Sequence, residues 1–361
     1  MPVRSKWQSL PTEAINPATL AIDKLSSADI VEGMLNEDRK MLAAVQREKD
    51  RIAVGVDIIT QALRKNGRII FVGAGTSGRL GILESAEMPP TFGTSSDLVL
   101  AIMAGGKNAI LKTKEGVEDN YEEGARSMMR LKPTKKDVVI GVSASGMTQF
   151  VRGALTRARR VGSKIVFVTC DPRTELQTFV DLTIAPAVGP EVIAGSTRLK
   201  AGTATKMVLN MLTTASMIRI GKTYGNLMVD VQMGSEKLKD RARRIITIVT
   251  GLEYEEADKL LRRAHWNVKA AIVMQKSGLA YPRAIARLRK AHDFVRDAIG
   301  EDVEPRLREL LDGHDRDHAA LIEARERSAI PRLRCAALPR LRLPTPQLPG
   351  AVAGTTQAPS A

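Results

Sequence analysis

The sequence predicts an α/β fold, a parallel sheet flanked by helices, followed by a small C-terminal helical domain. Three observations carry this. Five short apolar runs, at 69–73, 98–103, 138–142, 164–169 and 182–185, have the length and continuity of strands buried on both faces. Strand-like and helix-like stretches alternate along this region, as strand–helix–strand units of a parallel sheet require. From Thr203 onward the strand-like runs stop and only helical spacing remains.

Taken in order, residues 14–67 read as mostly helical. Ser27-Ala28-Asp29 is placed to cap a helix continuing through Ile30, Met34 and Leu35. A second apolar pattern (Leu42, Val45, Ile52, Val56, Ile59, Leu63) ends at Asn66-Gly67, as a helix should. The run at 69–73 leads into a Gly-Ala-Gly-Thr-Ser turn and a helix over 78–87, which Met88-Pro89-Pro90 is predicted to stop. Further helices are predicted over 118–131, 148–160, 203–220 and 231–250. Residues 251–299 read as a small helical bundle with Leu260, Leu261, Ala264, Val268, Ala271 and Ile272 as its core, suited to a lid or dimer element. From Pro331 the chain carries six prolines, no acid and no periodicity, and is predicted to be disordered.

Length and composition bound the answer. The 361 residues allow one large domain or two with appendages, and a hydrophobic fraction of 43% excludes wholesale disorder. Two cysteines, Cys170 and Cys335, exclude a disulfide framework and a cysteine-based zinc site. His314 and His318 are spaced to share a helical face but read as surface residues. The net charge of +15 comes with only 3% aromatics and no nucleic-acid motif, so it reads as a solvated surface that helps attract anionic substrates. Nine basic residues balance nine acidic ones across 301–361, which leaves the whole excess in 1–300. No secretory signal pattern opens the chain and no apolar run approaches membrane-spanning length. The expectation is therefore a cytoplasmic protein with no membrane or nucleic-acid partner.

The chemistry gathers in loops that follow strands. In the first, Thr76 and Ser77 offer hydroxyls where a buried strand turns into a helix, a natural anion site because free N–H groups and the helix dipole point at it. Glu87 lies further along the same helix. The second, Ser143-Ala144-Ser145-Gly146-Met147-Thr148, repeats that logic after the run at 138–142. Either loop alone also fits a capped turn; two on one sheet edge form a phosphate site of directional donors. Between them Glu115, Glu118 and Asp119 follow a strand on the same side. Two carboxyls in different environments, Glu87 and Glu118, are what a proton-in, proton-out reaction requires. The segment from Gly189 to Lys206, with Glu191, Ser196, Arg198, Lys200 and Lys206, fits an anion-facing loop or an interface-packed turn equally well.

These motifs carry a resemblance. GAGTSGRLG followed by ESAEMPP, then EGVED, SASG, GPEVIAGSTRLKAGTATK and GNLMVDV, are similar to those of the N-acetylmuramic acid 6-phosphate etherase family, across roughly residues 10–300. The GPEV–TATK segment also resembles a signature shared with the glucokinase regulatory protein. The resemblance implies a sugar isomerase (SIS) type three-layer sandwich, a homodimer, a sugar-phosphate substrate, and no metal or other cofactor. It implies a carbon–oxygen lyase that removes the D-lactyl ether from C3, giving N-acetylglucosamine 6-phosphate and D-lactate in cell-wall recycling. By position, Glu87 resembles the family's proton donor and Glu118 its second catalytic acid, taken as the base. Thr76, Ser77, Ser143, Ser145 and Thr148 map onto the phosphate loops, and Glu191, Ser196 and Lys200 are further substrate-binding candidates. The implied domains are N-terminal helices over 1–60, the SIS domain over 61–235, a UBA-like helical domain over 236–300, and a charged helix and tail over 301–361.

The sequence departs from the family pattern at Met147, where Arg is frequent, and in the tail after Gly300. Two rivals remain on the same fold. A non-catalytic sugar-phosphate sensor would keep the loops but not the Glu of ESAEMPP. An aldose–ketose isomerase needs a base at C2 but no acid aimed at O3, and does not explain the GPEV–TATK signature.

Overall fold

Strands alternate their side chains between faces, and β1 (Ile69–Gly73) shows what that does here. Ile69 and Phe71 join one hydrophobic cluster while Ile70 and Val72 join another, so both faces of the sheet are covered. The structure, a computed structural model, describes residues 10–312. His314, His318, Cys335 and the Pro-rich tail lie outside the described residues. Everything below belongs to the compact unit that ends at Leu307.

The other strands are β2 (Val99–Met103), β3 (Val138–Val142), β4 (Lys164–Val168) and β5 (Leu182–Ile184). All pair in parallel in the order β2-β1-β3-β4-β5, with Ile69 opposite both Val99 and Val138. The loops that follow the strands therefore gather at one edge. The connection reverses direction between β1 and β3, and a crevice opens at such a reversal. The expected α/β class with a parallel sheet flanked by helices is what the chain adopts.

Helices α1 (Ser27–Arg47), α2 (Lys49–Arg64) and α7 (Lys200–Arg219) bury their apolar stripes on the Ile69/Phe71 face. Helices α5 (Tyr121–Arg130) and α6 (Gln149–Arg160) cover the Ile70/Val72 face. Ser26, not Ser27, caps α1, its side chain accepting from Asp29 N. The α5–α6 pair is unusually close because two glycines face the opposite backbone. A Cβ on Gly124 would lie 2.0 Å from the Phe150 carbonyl oxygen, and one on Gly153 would lie 2.0 Å from that of Tyr121.

Helix α3 (Gly75–Phe92) corrects one expectation, since it continues through Pro89 and Pro90 and ends at Gly93. Both rings sit in the last turn, where they remove only two intrahelical donors. Gly93, at φ +60°, then donates its N–H to the Pro89 carbonyl and closes the helix. The short α4 (Asn108–Leu111) follows β2.

Beyond α7 a separate core forms under α8 (Glu236–Thr250), α9 (Tyr254–Arg263), α10 (Val268–Ser277), α11 (Tyr281–Lys290) and α12 (Val295–Ile299). Leu260, Leu261, Ala264, Val268, Ala271 and Ile272 are all buried in it. This part also contains an internal repeat. Gly251, Leu252, Tyr254, Ala257, Leu261, Ala264, His265, Val268, Ala271 and Ile272 recur 27 positions later as Gly278, Leu279, Tyr281, Ala284, Leu288, Ala291, His292, Val295, Ala298 and Ile299. The backbone repeats with them: His265 and Trp266, then His292 and Asp293, take the left-handed conformation at the two equivalent turns. The helical bundle is thus a helix–turn–helix unit used twice.

Candidate active site

A cleft of ≈ 290 Å³ opens at the carboxyl edge of the sheet, at the β1/β3 reversal. Its floor is built by the two loops whose composition marked them. Ala74, Gly75, Thr76 and Ser77 line it from the start of α3, and Ser143, Ala144, Ser145 and Thr148 line it from the turn before α6. Buried Ser143 and half-buried Thr148 share a hydrogen bond of 2.8 Å between their hydroxyls. Met147 N donates weakly to Ser145 Oγ at 3.4 Å. Gly146 takes φ +72°, and a Cβ there would lie 2.7 Å from Thr174 Oγ1, so only glycine fits the turn. The floor therefore presents hydroxyls and helix N-termini, the donor set that holds a phosphate without a cation.

The second wall comes from the strap between β2 and α5. Thr113, Lys114, Glu115, Val117 and the half-buried Glu118 line the cleft. Val117 packs on the α5–α6 face of the core, which fixes the turn that carries Glu118. Arg79, in the second turn of α3, holds the strap by donating to the carbonyls of Ile110 (2.8 Å) and Ala109 (2.9 Å). A third wall is made by Gly195, Thr197 and Glu13.

Not every predicted residue reaches this cleft. Glu87 is exposed on α3, ten residues beyond Ser77, which is about 15 Å along a helix axis. Within one chain it lies away from the cleft lining. Glu191 and Lys200 are buried at 0% and 1% exposure and are occupied elsewhere. The Glu191 carboxylate caps α7 by accepting from Lys200 N (3.0 Å) and Ala201 N (2.9 Å). The Lys200 ammonium donates to Glu37 Oε2 at 2.5 Å. Ser196 is half-buried between the lining residues Gly195 and Thr197, its N–H donating to the Ile193 carbonyl. Both side chains are thus held by contacts within the chain, and neither lines the cleft. Lys206 likewise pairs with buried Glu84 of α3 at 2.5 Å, and Thr213 donates to the other oxygen of that carboxylate at 2.7 Å.

Sequence reasoning missed Glu13, Arg79, Glu37 and Glu84. Glu84 and Glu37 lie on helices at apolar-facing positions, and a charge on a buried face is a signal for a partner. Arg79 follows the Thr-Ser loop directly, where a cation invites attention. Glu13 carries no local signal. Among the described residues no cluster of three His, Cys, Asp or Glu side chains is arranged to hold a metal, and no helix is long and apolar enough to cross a membrane.

The chain is 46% identical over 295 residues to N-acetylmuramic acid 6-phosphate etherase 2 of Vibrio cholerae, covering 82% of this chain and 96% of that one. It is 47% identical over 296 residues to the N-acetylmuramic acid 6-phosphate etherase of Salinibacter ruber, covering 82% and 95%. The chain belongs to the N-acetylmuramic acid 6-phosphate etherase family. The profile of the glucokinase regulatory protein N-terminal SIS domain matches residues 51–159, which hold both hydroxyl loops and Glu118. Among solved structures, phosphoheptose isomerase from Neisseria gonorrhoeae is 14% identical with a TM-score of 0.40, covering 52% of this etherase-family chain and 97% of its own.

Proposed function

We propose that the protein removes the D-lactyl group from N-acetylmuramic acid 6-phosphate, yielding N-acetylglucosamine 6-phosphate and D-lactate. The observation that carries this reading is Glu118 half-buried on the wall of a hydroxyl-floored cleft, in a chain that belongs to the etherase family. Thr76, Ser77, Ser143, Ser145 and Thr148 grip the phosphate, and the grip orients the rest of the sugar. In the open-chain form the C1 aldehyde acidifies the C2 hydrogen. Glu118 takes that proton, the C3–O bond breaks, and the departing lactate oxygen is protonated. The resulting C2=C3 enal then takes up water, hydroxyl at C3 and hydrogen at C2. Each assisted proton transfer is worth about 10²–10⁴-fold.

In this reading the proton donor is Glu87 of a second copy, because the Glu87 of the same chain lies about 15 Å along α3 from the floor. The protein then works as a homodimer in the cytoplasm, with residues 61–235 binding the sugar phosphate and the helical part over 236–300 packing beside it. Glu191, Lys200 and Ser196 serve by holding Gly195 and Thr197 at the cleft wall. A second reading, a sugar-phosphate sensor without turnover, draws on the match to the glucokinase regulatory protein domain. One assay separates them: D-lactate release from N-acetylmuramic acid 6-phosphate by the purified full chain. Well-folded protein that binds the sugar phosphate and releases no lactate is a sensor.

A further inference from the structure

We propose that Glu13 is a substrate-facing carboxylate of the cleft, which positions the sugar by accepting a hydrogen bond from one of its hydroxyl or amide N–H groups. The proposal rests on the sugar-phosphate reading above. It starts from an oddity of charge. Glu13 is exposed at the rim of a cleft suited to an anion, and its carboxylate has no hydrogen bond or ion pair among the described residues, so it is free to meet a ligand. Arg79 and Lys114 also line the cleft, but neither pairs with it: the Arg79 guanidinium donates to two carbonyls of the strap. An acid facing a phosphate is unfavourable by Coulomb's law unless it does something for the ligand.

The segment around Glu13 is anchored on both sides. Gly195 N donates to the Thr12 carbonyl at 3.1 Å, directly before Glu13. Asn16, buried at 5% exposure, donates to Glu37 Oε2 (3.0 Å) and to the Pro190 carbonyl (3.3 Å). Thr19 Oγ1 donates to the Val192 carbonyl at 2.9 Å. The buried Glu37–Lys200 pair joins this stretch to α1 and α7. Room for the side chain is made by Gly195 at φ +78°, where a Cβ would stand 3.0 Å from Glu13 Oε2.

The placement complements Glu118. Glu118 is carried by the α5–α6 face of the sheet through Val117, whereas Glu13 is tied to α1 and α7 on the opposite face. The two carboxylates thus approach one bound molecule from opposite walls. A sugar phosphate offers acceptors at its phosphate, which the floor's donors satisfy, and donors at its hydroxyls and acetamido N–H, which need acceptors. Glu13 is the unpaired acceptor on the wall away from the strap, and a charged acceptor makes the stronger hydrogen bond.

The test compares Glu13→Ala and Glu13→Gln with the unaltered full chain by titration calorimetry. The probes are inorganic phosphate and N-acetylglucosamine 6-phosphate. Loss of a charge-assisted acceptor should weaken sugar-phosphate binding about 10-fold or more in Glu13→Ala. Phosphate affinity should stay unchanged or tighten, because a negative charge has gone. Glu13→Gln keeps a carbonyl acceptor and should fall between. Equal weakening of both probes would mean a structural role, and unchanged or tighter sugar-phosphate binding would mean a bystander; either overturns the proposal. If the unaltered chain binds phosphate but no sugar phosphate, the reading of the cleft itself fails, and the role of Glu13 with it.

Discussion

Lys200 Nζ stands 2.5 Å from Glu37 Oε2 with both side chains sealed from solvent, at 1% and 4% exposure. The pair joins the first residue of α7 to the middle of α1, and Asn16 adds the N-terminal segment to the same carboxylate. Glu37→Gln strands the buried Lys200 ammonium and should lower stability by about 3–5 kcal/mol, whereas Lys200→Met leaves Glu37 its Lys40 and Asn16 partners and should cost less. Urea unfolding midpoints at neutral pH measure it; a loss below about 1 kcal/mol would mean that the pair is dispensable.

The same carboxyl sets an acid limit. Burial alone would push Glu37 up, but hydrogen bonds from Lys200, Lys40 and Asn16 and the Lys200 charge hold it at about 2, against an ordinary 4.5. A carboxyl depressed in the folded state stabilises the fold above its unfolded value and stops doing so as pH falls. Its contribution should be full above about pH 4.5 and be lost as pH falls toward 2. Unfolding curves across that range should be steeper in pH for the parent chain than for Glu37→Gln, and identical slopes would refute the assignment.

Glu118→Gln and Glu87→Gln should each lower turnover by more than about 100-fold while phosphate-sugar binding persists. Mixing the two variants tests whether Glu87 crosses between copies. In a twofold dimer each hybrid would contain one whole site, and random mixing should restore about a quarter of the parent activity. No restoration after subunit exchange would place both acids in one chain.

Cys170 should be inert. Burial and the nearby Glu191 charge push its thiol up to about 12, against a weaker opposing hydrogen bond to Thr205. A Cys335→Ser chain should therefore resist thiol reagents at pH 8 until denatured. Rapid labelling of the folded chain would contradict the buried placement.

Gly153→Ala should destabilise the fold by about 1–3 kcal/mol or more, since the added methyl meets the Tyr121 carbonyl oxygen. Tyr121 opens α5 just after Glu118, and Gly153 lies one turn beyond Thr148. Turnover should fall with stability, whereas Gly33→Ala, inside α1 with nothing near its Cβ position, should raise stability by about 0.5–1 kcal/mol and leave turnover unchanged. Equal behaviour of the two variants would argue against the close helix contact.

Much of this was legible in the residues. The continuous apolar run Ile69–Gly73 and the hydroxyl loops at Thr76 and Ser143 are local patterns, and the sheet and cleft floor follow from them. The charged pairs were not, because Lys200 meets a partner 163 positions away and Lys206 one 122 positions away. A Pro-, Gly- and hydroxyl-rich segment reads as exposed, so Glu191 and Lys200 looked available to a ligand. Pro89 and Pro90 looked like a stop because the rule weighs lost hydrogen bonds without asking how few remain to be made in a last turn. The 27-residue repeat lies in the letters themselves; hydropathy spacing alone does not separate it from ordinary helical periodicity.

The two prolines of α3 have an outcome of their own. Neither ring carries an N–H, so the oxygens of Ser85 and Ala86 lose the donors that a regular helix would give them. These two carbonyls precede exposed Glu87 in the last turns of α3, so a donor for them has to come from outside the regular ladder of that helix.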